Sequence, residues 1–206
     1  MRKADLAKNH DEFEADMYWY IDFLERTIGA ERAAPVGGTK DDKAEIIESS
    51  IIRVCALWET LVENDLIDCL NLDSTKLSKY LQLDLPDHLN KDLCEAILLG
   101  TTYLDFKKVG NIKGFAKNIL PPYINPFRLI EGPTEKKIDE AYTMRNYISH
   151  YSSKAKRGLC RMYQNSYNIR RFREPGDFLL SYGGNRLNPY ITAFLDASEQ
   201  MRGIIS

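Results

Sequence analysis

The chain has 206 residues, the size of one domain or of one domain with a small appendage. Its apolar content of 44% and charged content of 28% are ordinary for a globular protein in water, and no apolar run nears the roughly 20 residues of a membrane helix. The formal net charge is only −2, which excludes neither an acidic nor a basic partner, because the charge is unevenly spread along the chain.

The N-terminal stretch MRKADLAKNHDEFEADMYWY is too polar to hold a signal-peptide core, so a cytoplasmic protein without a membrane anchor is expected. Phe13, Met17, Ile21, Leu24 and Ile28 recur at helical spacing and predict a first helix over 11–29. GAERAAPVGGTKDD, residues 29–42, breaks that pattern with three glycines and a proline, and predicts a loop. Ile47, Ile51, Cys55, Trp58, Val62, Leu66 and Cys69 form one broad apolar face, the signature of a core helix over 43–71. Ser74 is placed to cap a short helix over 75–82, and Asp87 another over 88–99. Residues 100–132 are expected to be irregular, since the prolines of NILPPYINPF remove donors and restrain their predecessors.

Thr134 opens a helix through TEKKIDEAYTMRNYISHY, with Ile138, Ala141, Tyr142 and Ile148 on its apolar side. GDFLLSYGGNRLNPY reads as two short strands around a Gly-Gly-Asn turn. Asn188 and Pro189 carry the N-cap and N1 signature of a last helix, 189–203. The expected architecture is a single domain over 1–206, an all-α helical bundle with a small β-hairpin near the C-terminus.

The four cysteines, 55, 69, 94 and 160, contain no CxxC pair. Cys55 and Cys69 share one predicted helix, about 21 Å apart, too far to bridge. Buried free thiols are expected. His10 and His88 lack ligand spacing, so no metal site and no cofactor is read from the sequence.

Residues 1–73 hold 17 acids and 8 bases, whereas residues 152–173 hold 7 bases and no acid. That second stretch, SSKAKRGLCRMYQNSYNIRRFR, interleaves Tyr163, Tyr167 and Phe172 with its bases, a composition that attracts phosphate. Lys154, Lys156, Arg157, Arg170, Arg171 and Arg173 are the candidate RNA contacts, made through the backbone without base specificity. A solvated basic face is the plainer alternative.

Immediately before it lies MRNYISHY, with Arg145, Asn146 and His150 late in an amphipathic helix. With 13 arginines and 3 histidines in the chain, Arg-x4-His is expected by chance about 0.2 times; with Asn following the Arg, about 0.01 times. This motif, together with VCALWETLVENDLIDCL and the proline-broken middle, resembles the HEPN superfamily, in particular its RiboL-PSP-HEPN branch. The likeness covers most of residues 45–203. It implies an all-helical HEPN-like core, a homodimer, and metal-independent RNA cleavage in a cleft shared by two protomers. It also implies a role in toxin–antitoxin, stress or anti-phage defence systems, with an antitoxin or defence-system partner. HEPN toxins regulated by an adenylyltransferase carry Arg-x4-His-x-Tyr, whereas here Tyr151 follows His150 directly.

The residue types suit that chemistry on their own. A histidine titrates near neutral pH and can take the 2′-OH proton or supply one to the leaving 5′-oxygen. An arginine offers fixed charge and a planar donor fork to the phosphate. Asn146 offers an amide to His150 one turn later or to the phosphate, and Glu59 is a supporting polar group. Arg145 and His150 are five residues apart, about 140° around a helix, so they do not converge automatically, and a second copy related by two-fold symmetry could complete the cleft. The plainer alternatives are a surface ion pair of Arg145 with Asp139 or Glu140, a helix-end role for His150, and an exposed carboxylate at Glu59. A non-catalytic RNA-binding or protein-interaction module on the same fold is the alternative function.

Overall fold

The computed structural model describes residues 4–28, 40–101, 108–181 and 186–204. Helix α1, Leu6–Ile28, starts earlier than its apolar spacing predicts. The reason is local: Asp5 Oδ1 accepts the Lys8 N–H, while Asn71 and Asp68 hold the backbone N–H groups of Ala4 and Asp5. Most of the loop expected over 29–42 lies outside the described residues. Helix α2, Lys40–Leu72, runs for 33 residues. All seven residues of its predicted apolar face are buried. Trp58 sits at the centre, wholly buried, with Phe13 and Phe194 edge-on at 6.3 and 5.8 Å.

Helix α3 is Thr75–Leu81, but its cap is not the Ser74 hydroxyl, which bonds to the Pro86 carbonyl. Asp73 Oδ1 takes the Thr75 N–H instead, at 2.8 Å. Helix α4, Lys91–Thr101, begins later than predicted, and Asn90, not Asp87, accepts the Leu93 N–H. Residues 108–132, the described part of the stretch expected to be irregular, are more regular than expected. Helix α5, Val109–Ile119, buries Val109, Ile112, Ala116 and Ile119 on one face, a period that the proline-based reading overlooked. The prolines act as predicted further on, where two 3₁₀ turns, Pro122–Ile124 and Pro126–Leu129, replace a continuous helix.

Helix α6 is Gly132–His150, α7 Ser153–Tyr167, α8 Pro175–Leu180 and α9 Asn188–Arg202. The expected β-hairpin is corrected: among the described residues there is no strand. Its first arm is α8, begun by Pro175, whose fixed φ suits a first helical turn. Phe178 and Leu179 are buried side by side, whereas an edge hairpin with one wet face would alternate buried and exposed residues. Gly176 docks against α2 and donates its N–H to Glu48 Oε1 at 2.8 Å. A Cβ there would lie 2.7 Å from Ala44. The Gly-Gly-Asn turn lies outside the described residues. The second arm leads into α9, which begins one residue earlier than predicted, with Leu187 at the cap position and no side-chain cap bond.

The fold of the described residues is all-α. Helix α2 is the axis, packed by α1, α4, α6, α8 and α9; α6 packs on α9, and α7 lies along α6. All four cysteines are free, and Cys55, Cys69 and Cys94 are buried. No helix of the described residues is long and apolar enough to cross a membrane.

Candidate active site

Helix α6 carries the motif. Its inner face, with Ile138, Ala141, Tyr142, Met144, Tyr147 and Ile148, is buried. The helix stops at Tyr151, which is left-handed at φ 44° and donates its N–H to the Tyr147 carbonyl at 2.8 Å. This conformation costs a non-glycine residue about 1–2 kcal/mol. It turns the chain sharply, and α7 starts two residues later, with the Ser152 hydroxyl accepting the Ala155 N–H.

Arg145 is half-buried and faces α2. Neither carboxylate that could have neutralised it does so. Asp139 accepts the Val109 N–H at 2.9 Å. Glu140 is buried and engaged by Lys137, Ser166, Tyr167 and Tyr190 at 2.6–3.1 Å. Burial pushes the Glu140 carboxyl up, but these donors outweigh it and hold its pKa below the usual glutamate range. Arg145 Nε is buried without a hydrogen-bond partner among the described residues. The neighbouring groups are Cys55, Glu59 and Tyr142. Burial pushes the Cys55 thiol and Tyr142 phenol far up; Glu59 reinforces this and Arg145 opposes it, so both charges act in one seam between α2 and α6. Glu59 Oε1 accepts the Tyr142 hydroxyl at 3.2 Å and is half-buried, so it is not the exposed carboxylate of the plainer reading.

His150 is exposed at the last turn of α6, and Asn146, one turn back, lies on the same side. No hydrogen bond joins the two, so the Asn146 amide does not hold the imidazole. Arg145 and His150 are not brought together within one chain: one faces α2 and the other faces water.

The basic segment is helix α7 followed by an irregular stretch that begins at left-handed Asn168. Lys154, Lys156, Arg157, Arg170, Arg171 and Arg173 are all exposed. Its aromatic residues point inward instead. Tyr163 is wholly buried, Tyr167 belongs to the Glu140 cluster, and Phe172 packs edge-on against Tyr147 at 5.5 Å. Lys156 Nζ lies 3.9 Å above the Phe172 ring. Tyr147 donates to Glu174, and burial followed by that bond raises its pKa to about 12.

A second polar chain escaped the sequence reading. His10, wholly buried, contacts Ser198 Oγ through Nδ1 at 2.7 Å, and its Nε2 lies 3.0 Å from Asp65 Oδ2. The latter contact is off the line of the ring N–H. Ser198 donates its own proton to Glu14 Oε1 at 2.9 Å, so toward His10 it accepts, and Nδ1 carries hydrogen. The order Ser–His–Asp resembles a nucleophilic triad, yet all three residues are sealed from solvent. The three residues lie on α1, α2 and α9, and no local spacing in the sequence links them.

Among the described residues no three His, Cys, Asp or Glu side chains are grouped to hold a metal ion. Compared with known proteins, the chain matches no family model, no curated protein and no solved structure.

Proposed function

We propose that this protein is a metal-independent endoribonuclease of the HEPN type. It cleaves single-stranded RNA as a homodimer, in a toxin–antitoxin, stress or anti-phage defence setting. One observation carries the reading: Arg145 lies on the motif helix without a carboxylate partner among the described residues, its Nε buried and unsatisfied. A buried donor left open costs free energy, and a phosphate oxygen is the acceptor that best matches a guanidinium. The exposed His150 and the basic residues that follow it support the same reading.

In the reaction, His150 removes the 2′-OH proton or protonates the leaving oxygen. The 2′-oxygen bonds to phosphorus as the bond to the 5′-oxygen breaks. Arg145 and Asn146 hold the non-bridging oxygens while charge builds on them. The products are a 2′,3′-cyclic phosphate and a 5′-hydroxyl. Since Arg145 and His150 diverge by about 140° on their helix, His150 of one protomer works opposite Arg145 of its partner.

The decisive assay compares wild type, Arg145→Ala and His150→Ala on end-labelled RNA, with and without EDTA. Cleavage should survive EDTA, and Arg145→Ala should lower it roughly 10²–10³-fold. Arg145→Lys should rescue poorly, because the planar fork is lost. DNA, lacking the 2′-OH, should resist. Cleavage that requires magnesium, or equal cutting by all variants, overturns the reading. Binding without cutting favours a non-catalytic RNA-binding module, for which the divergence of Arg145 and His150 within one chain speaks directly.

A further inference from the structure

We propose that Tyr151 is a stacking platform that seats a nucleobase of single-stranded RNA beside His150, a proposal that takes its ligand class from the nuclease reading above. Tyr151 is 60% exposed, and its backbone is left-handed at φ 44°, where a glycine is the unstrained choice. A large ring is thus held in water on a strained turn, directly after the motif histidine.

The ring is also braced. Tyr147 meets it edge-on at 5.2 Å, and its hydroxyl donates to Glu48 Oε2 at 3.3 Å. Glu48 is fixed in turn by the Gly176 N–H, and Tyr147 by Phe172. A platform anchored at its hydroxyl and one edge loses little freedom when a base settles on its open side.

Charge selects which part of a nucleotide lies there. Burial, followed by Glu48 and Glu45, raises the Tyr151 pKa, so the phenol stays neutral and carboxylates flank its hydroxyl. They would repel a phosphate on that side but tolerate a neutral base. Lys156, above Phe172 in the same aromatic cluster, and the exposed Lys154 and Arg157 offer the backbone a positive path along the start of α7. Trp19 is equally exposed, at 63%, and stacks on Phe23, but it stands on α1 among Glu12, Asp16 and Asp22, where an RNA backbone is disfavoured.

The test is a binding cycle with the full chain and labelled single-stranded 2′-O-methyl RNA nonamers, which lack the attacking hydroxyl and stay intact, read by anisotropy. Tyr151→Gly removes the ring and suits the left-handed backbone, so it should stay folded by circular dichroism. It should bind roughly 5- to 150-fold more weakly, the effect of losing one stacked base. One abasic position in the RNA should weaken wild type by a similar factor and leave Tyr151→Gly unchanged. Tyr151→Phe keeps the ring and should bind within about twofold of wild type. Equal binding by wild type and Tyr151→Gly, or a loss in Tyr151→Phe as large as in the glycine variant, overturns the proposal. So does failure of wild type to bind any nonamer. Stacking without cleavage would uphold this site and sink the nuclease reading; cleavage with no effect of Tyr151 would do the reverse.

Discussion

Two histidines in this molecule sit in opposite circumstances. His10 has Ser198 on one ring nitrogen and Asp65 close to the other, in an order that resembles a hydrolase triad, and no access to water. His150 has no partner among the described residues and stands exposed at a helix end, beside a basic segment. The first is closed in by three helices; the second stands where its face is open. A catalytic group needs a route for its substrate, so the poorly bonded histidine is the better candidate. Unpaired buried atoms occur in both regions among the described residues, Arg145 Nε in one and His10 Nε2 in the other, so solvent access is what separates them.

The largest expected effect sharpens that contrast. His150→Ala should lower RNA cleavage roughly 10²–10⁴-fold. Its thermal midpoint should match wild type, because the side chain contacts nothing that it would leave unpaired. A large loss of stability in this variant would break the comparison from the side of His150. His10→Ala should do the opposite. It takes the ring away from Asp65 Oδ2 and Ser198 Oγ and leaves a cavity in the interior, and truncating a large buried ring typically costs about 3–5 kcal/mol. For a chain of this size that is a fall of roughly 6–20 °C in thermal midpoint. Cleavage per folded molecule should be retained. Loss of cleavage without loss of stability in His10→Ala would make the sealed chain functional after all.

Helix α6 carries both kinds of group, and Glu140 tests the buried kind on the motif's own helix. Glu140→Gln should cost about 1–3 kcal/mol at pH 7, since hydrogen bonds to a charged acceptor are lost or weakened. The sign with pH follows from the depressed folded-state pKa. The stability that the ionised Glu140 contributes is present above the ordinary glutamate pKa and is lost as pH falls through the lower folded value. The gap between wild type and Glu140→Gln in urea titrations should therefore narrow below about pH 4.5. A gap that widens in acid would mean that the donors around Glu140 do not favour its charge.

The smallest effect concerns the open side. Replacing Arg170, Arg171 and Arg173 by glutamine should reduce the salt slope of RNA binding by up to about three units, a little under one for each lost phosphate contact. Thermal stability should not change. An unchanged slope would assign these arginines to a solvated face, and the region around His150 would lose its electrostatic support.

Much of the helical frame was legible along the chain. The apolar faces of α1 and α2 follow from local period, which a straight helix converts directly into a buried stripe. The motif helix was legible for the same reason, and the turns at Pro122 and Pro126 because proline lacks the N–H that a continuous helix needs. Caps were not: Ser74 and Asp87 have the right chemistry, but the Asp73 and Asn90 side chains reached the open N–H groups instead. The hairpin reading failed because Pro175 and Glu48, distant in sequence, make the 175–180 stretch a helix docked on α2.

The candidate site divides the same way. Sequence determined that Arg145, Asn146 and His150 share a helix and that a basic stretch follows them. Only tertiary structure decided that Arg145 faces α2 without a carboxylate partner among the described residues, that the aromatic residues of the basic stretch turn inward, and that Tyr151 of that aromatic cluster stays largely exposed. The physical reason is that helical period fixes directions around one axis, whereas partners and solvent access depend on what other helices bring against it.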